Sequence, residues 1–188
     1  MKRTAFSLIV AGVSLAAACR GEKLPADLKG TLVFVSNRDG RDAVYLRRLP
    51  DGADFQLTSQ TEPVEEPALS PDGRQVAFSM GGRIGLITVE THEVKFVTLG
   101  VDWKDQSPSW RPDGKALVVA ARRDSGQNAD LHLLMLGAPA GSDVRRPLTR
   151  TDHMDETSPS FSPEGTSIAF VRGDNVFRLS VGDGATVR

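Results

Sequence analysis

Three stretches decide the fold: EEPALSPDGRQVAFS from Glu65, QSPSWRPDGKALVVA from Gln106, and TSPSFSPEGTSIAFV from Thr157. Laid over one another they place Pro67, Pro108 and Pro159 in one column, with spacings of 41 and 51 residues. In each, a short apolar segment (Ala68-Leu69, Ser109-Trp110, Ser160-Phe161) runs into a turn: Pro71-Asp72-Gly73, Pro112-Asp113-Gly114, and Pro163-Glu164-Gly165. Proline presets φ for the first turn position, the acidic residue favours local hydrogen bonds, and glycine accepts the left-handed conformation that closes a tight hairpin.

Working outward, a second strand follows each turn, at Gln75 to Ser79, Ala116 to Ala121 and Ser167 to Val171. A third is expected at Ile84 to Val89, Leu131 to Leu136 and Asn175 to Val181, and a fourth at Phe96 to Leu99 and Pro147 to Thr149. Before the first full repeat, TLVFVS (Thr31 to Ser36), AVYLRRL (Ala43 to Leu49) and FQLT (Phe55 to Thr58) match strands two, three and four of a unit whose first strand is missing. The extra residues of the longer spacing fall between Arg122 and Pro147, where SGQNAD and GAPAGSD read as enlarged turns. No segment after Cys19 has a sustained 3.6-residue apolar period, so the chain reads as all-β. A repeat of about 40 to 45 residues fits one four-stranded propeller blade.

These residues resemble the TolB-like, WD40-like (PD40) propeller repeat, with its P-x-[WF]-SPDG signature, RDG-type turn and closing Leu-Thr. The resemblance covers Thr31 to Arg188. It implies a β-propeller of about four blades, at 31–64 (partial), 65–105, 106–156 and 157–188. The expected strands number fifteen, the last at Ala185 to Arg188, one short of a closed four-bladed disc. An open or truncated propeller is therefore expected, completed by a homodimer mate or a strand-donating partner at the exposed edge Thr31 to Ser36.

The N-terminus carries a targeting signal. Lys2 and Arg3 precede an apolar run from Phe6 to Leu15, and Ala16 to Ala18 lead into Cys19, the single cysteine. The layout is that of a signal peptide over 1–18, too short for the roughly 20 apolar residues of a membrane-spanning helix. LAAAC resembles a lipobox, which implies a diacylglyceryl-Cys19; ordinary cleavage after an A-x-A site, leaving a free thiol, is the alternative. Residues 19–30 are then a lipidated N-terminus and polar tether. The implied location is the periplasmic side of the cell envelope, lipid-anchored in the outer membrane.

Composition narrows the function. Charged residues make up 25% and hydrophobic ones 39% of the chain, ordinary values for a globular domain. Basic residues are interleaved with acids, which excludes the clustered basic face of a nucleic-acid binder; Arg47-Arg48, Arg122-Arg123 and Arg145-Arg146 read as solvated hairpin positions. There is no GxSxG, HExxH, P-loop or GxGxxG motif. Neither a catalytic residue nor a metal or cofactor site is expected. His92 reads as a turn residue and His132 as a half-buried strand residue. His153 sits among Asp152, Asp155 and Glu156, a run read as a solvated loop in preference to an ion site.

The better candidates are the segments that carry the chain from the outer strand of one blade to the inner strand of the next. They place Glu65, Glu66, Trp103, Asp105, Asp152, His153 and Asp155 on one acidic, partly aromatic rim, suited to a basic peptide, a polar ligand or a cation. Trp103 is either an interface anchor or a residue packed against the neighbouring blade, whereas Trp110 and Phe161 occupy matched core positions. The function expected is that of a non-catalytic envelope lipoprotein binding an envelope protein or peptide. The alternative is a substrate-gating propeller working with a separate peptidase or other hydrolase.

Overall fold

The computed structural model describes residues 27–123, 126, 128–137 and 145–182. Over these the chain is all-β, with fourteen strands in four antiparallel sheets. Sheet 1 holds β1 (Gly30–Ser36), β2 (Ala43–Leu49) and β3 (Asp54–Gln56). Sheet 2 holds β4 (Glu65–Leu69), β5 (Gln75–Met80), β6 (Arg83–Thr88) and β7 (Val94–Phe96). Sheet 3 holds β8 (Trp103–Trp110), β9 (Ala116–Arg123), β10 (Asp130–Met135) and β11 (Arg145–Pro147). Sheet 4 holds β12 (Glu156–Phe161), β13 (Ser167–Arg172) and β14 (Asn175–Ser180). Each sheet is a simple meander in chain order. Cys19, the expected signal segment, most of the expected tether and the strand expected at Ala185 to Arg188 lie outside the described residues.

The repeated turns share one geometry. Gly73, Gly114 and Gly165 each have φ of 72°, and each donates its N–H to a carbonyl three residues back, on Ser70, Arg111 and Ser162, at 2.9 Å. A second device recurs at the outer edge. The N–H groups of Val44, Ile84 and Leu131 donate to the hydroxyls of Thr58, Thr98 and Thr149 at 2.8, 2.9 and 2.9 Å, while Leu57, Val97 and Leu148 donate their N–H back to Val44, Ile84 and Leu131. This register makes β2, β6 and β10 equivalent third strands, so sheet 1 lacks an inner strand among the described residues. It also corrects the fourth strand of the second blade, which closes on Val97-Thr98; Leu99 is 76% exposed.

The inner strands β4, β8 and β12 each carry a bulge at Glu66, Ser107 and Ser158, whose φ values are 52°, 53° and 51°. A left-handed non-glycine residue bends the strand and shifts its pairing by one residue. Because pairing resumes beyond the bulge, β8 extends back to Trp103.

Facing sheets bury their alternate residues in three separate cores. Sheets 1 and 2 share Val33, Val44, Leu46, Val76 and Phe78. Sheets 2 and 3 share Ile84, Leu86, Trp110, Leu117 and Val119. Sheets 3 and 4 share Val118, Leu131, Leu133, Ile168 and Phe170. Gly85 is required by this packing, since a Cβ there would stand 2.5 Å from the Phe78 ring. Each buried aliphatic or aromatic side chain contributes about 1.5–3 kcal/mol, so the four sheets hold together in series. They are not closed into a ring. Among the described residues nothing covers the far face of sheet 4: Val176 is 76% exposed, while its counterpart Ile84 is fully buried.

Candidate functional site

Strand alternation sorts the arginine pairs that the sequence assigned wholly to solvent. Successive side chains point to opposite faces, so one member of each pair turns toward the blade. Arg47 pairs with Asp54, Arg123 and Arg145 converge on Trp103, and Arg48, Arg122 and Arg146 face solvent. Trp103, opposite Arg123 in the β8/β9 register, is half-buried. The guanidinium carbons of Arg123 and Arg145 lie 5.0 and 5.1 Å from its ring centroid, and the His132 ring meets it edge-on at 5.0 Å. Arginine over an indole face is favourable by cation–π attraction.

These side chains line a cleft of about 650 Å³, together with Ala121, Asn128, Asp130, Pro147, Leu148, Thr149 and Arg150. The second core, with Val97 from the preceding sheet packed against it, backs Trp103. Burial holds the His132 imidazole below its ordinary pKa, outweighing the opposing effect of the Asp130 carbonyl, which accepts from Nδ1 at 3.3 Å. His132 is therefore neutral at neutral pH.

Asp105, placed on the rim by the sequence, is buried with its side chain fully covered. Its carboxylate accepts from Arg145 Nη2 at 2.5 Å and Nε at 3.3 Å, and its N–H donates to Gly82 of sheet 2 at 2.9 Å. Glu156 repeats the arrangement one blade on: it is fully buried, it accepts from Arg172 Nη2 at 2.5 Å and from the Thr149 hydroxyl, and its N–H donates to Ala129. Both acids stand three residues before the motif proline, where sheet 2 has buried Val64. That valine was the available signal: a repeat position filled once by an apolar residue is an interior position. Arginine on each carboxylate satisfies the charge that burial would otherwise penalise.

The remaining rim residues form two groups, both held to sheet 3. Glu65 and Glu66 are exposed on β4, and the Glu66 carboxylate accepts from the Ser107 N–H at 2.5 Å and its hydroxyl at 2.6 Å. Asp152, His153 and Asp155 are exposed beside the cleft. Asp155 accepts from Ala129 N at 2.8 Å, and Asp130 accepts from Thr151 N at 2.8 Å and its hydroxyl at 3.0 Å. Among the described residues no cluster of His, Cys, Asp and Glu is arranged to hold a metal ion. Trp110 is a core residue, donating its indole N–H to the Ala68 carbonyl of the preceding blade at 2.9 Å.

No family model matches the chain. It is 34% identical over 161 residues to a TolB homologue of Chlorobium luteolum, covering 82% of this chain and 35% of the relative. It is 31% identical over 88 residues to a Tol-Pal system protein TolB of Francisella tularensis, covering 45% and 20%. The crystal structure of TolB from Acinetobacter baumannii superposes with a TM-score of 0.61 at 26% identity, over 83% of this chain and 39% of that one. The chain spans about a third of the length of the first of these relatives. With the repeated turns, the serial blade cores and these likenesses together, the chain is a TolB-like β-propeller.

Proposed function

We propose that this chain is an exported, lipid-anchored protein of the cell envelope that binds an envelope protein non-catalytically, through the end of the propeller where the blade-crossing segments run. The observation that carries the reading is Trp103: a half-buried tryptophan held by His132 and two arginines at the mouth of an open cleft. Rigid aromatic and arginine side chains are the residues that dominate interface energies. The relatives called TolB and Tol-Pal system proteins support a protein partner and a periplasmic location. LAAAC supports lipidation at Cys19. The edge of sheet 1 at β1 is where a strand from a partner or a second copy would add.

The test is photo-crosslinking in cells, with a photoreactive residue placed at Asp152 beside the cleft or at Asp113 in the turn of the third blade. A discrete protein adduct from Asp152 and none from Asp113 is expected, in the membrane fraction for the wild type and in the soluble periplasm for Cys19→Ala. Equal adducts at both positions contradict the site, and membrane sedimentation of Cys19→Ala in high salt contradicts the anchor.

A further inference from the structure

Charge in the cleft points to a ligand opposite in sign to the one an acidic rim suggests. Three arginines and one carboxylate line it. Arg145 is matched by Asp105, and Asp130 accepts from Thr151. Arg123 and Arg150 are exposed and pair with no carboxylate among the described residues, and Arg123 lies over the Trp103 ring. A guanidinium stacked on an indole is already oriented, so less side-chain entropy is lost when it forms a two-pronged bond to a carboxylate. Asp152 and Asp155 do not fill this role: the side chain of Asp155 is turned onto Ala129, and neither lines the cleft. Pro147, Leu148 and Ala121 supply apolar wall beside the cations, and a volume of about 650 Å³ lies within the range of ligand sites.

We propose that this cleft binds a carboxylate carried by a peptide segment, with Arg123 and Arg150 taking the charge and Trp103 with Pro147 taking the apolar residue beside it. The proposal rests on the protein-binding reading and adds its chemistry: an acidic-apolar segment of the partner, not a basic one.

The experiment uses the full chain labelled with ¹⁵N, followed by the two indole N–H resonances. Trp103 reports the cleft, and Trp110, whose N–H is held by Ala68, is the internal control. The probes are acetyl-Glu-Phe-Glu-Phe-amide and its glutamine counterpart. The glutamate peptide is expected to shift the Trp103 resonance saturably and leave that of Trp110, with the glutamine peptide at least about tenfold weaker. R123Q and R150Q are each expected to weaken binding about tenfold, while R122Q, on the opposite strand face, leaves it unchanged. Equal affinity for the two peptides, no shift at millimolar peptide, or equal losses for R122Q and R123Q would overturn the proposal. Should R123Q and R150Q retain the Asp152 photo-adduct while Trp103→Ala loses it, the carboxylate assignment fails and the protein-binding face stands.

Discussion

Asp105 Oδ2 and Arg145 Nη2 meet 2.5 Å apart inside the third blade, joining the start of its inner strand to its outermost strand behind Trp103. Asp105 is fully covered and the Arg145 side chain is 12% exposed. Removing one partner of such a pair strands the other charge, at a cost of about 3–5 kcal/mol. Asp105→Asn is therefore expected to lower the thermal midpoint by on the order of 10 °C, whereas exposed Asp152→Asn changes stability by less than about 0.5 kcal/mol. Equal midpoints for the two variants would place Asp105 in solvent.

Backbone conformation alone fixes a second expectation. Gly114 has φ of 72°, and a Cβ built on it meets nothing within 4 Å, so Gly114→Val pays for backbone strain and not for a clash. The expected loss is about 1–3 kcal/mol, read from urea or thermal unfolding. An unchanged midpoint would contradict the left-handed turn.

Proton linkage through His132 gives a third. Its folded pKa is depressed by burial, so above the unfolded value of about 6.5 both states are neutral and the full stability is present. As pH falls below that value the unfolded chain takes up a proton that the native chain does not, and stability declines until the native pKa is reached. His132→Phe keeps a ring beside Trp103, as Tyr45 and Phe177 show at the equivalent positions of the first and fourth blades, and removes the proton uptake. Thermal midpoints between pH 7.5 and 5 are expected to fall less steeply in the variant; parallel slopes would contradict a buried neutral imidazole.

The architecture was legible because propeller repeats write the same turn into each of the three full repeats: Pro-Asp-Gly or Pro-Glu-Gly sets the hairpin, and the alternation after it sets the strand. The site was legible only in part. Trp103 stood out as a residue type, but Asp105 and Glu156 looked like rim acids because their burial depends on arginines 40 and 16 residues away. Arg123 and Arg145 were hidden for the converse reason: a basic pair in a strand sends its two side chains to opposite faces, and composition alone cannot say which face is covered. The bulges at Glu66, Ser107 and Ser158 carry no glycine to announce a left-handed φ, so the extension of β8 back to Trp103 was not visible in the repeat.

If Trp103 serves binding while Trp110 serves the fold, the yield of the Asp152 photo-adduct and the thermal midpoint, measured together, separate Trp103→Ala from Trp110→Phe. Trp103→Ala is expected to lose at least nine-tenths of the adduct with a midpoint a few degrees below wild type. Trp110→Phe removes the indole hydrogen bond to the Ala68 carbonyl, which stays in register with Ala77, at about 0.5–1.5 kcal/mol, and is expected to keep the adduct at a temperature where it is folded. An undiminished adduct in Trp103→Ala, with destabilisation as large as that of Trp110→Phe, would make Trp103 a packing residue and not a binding one.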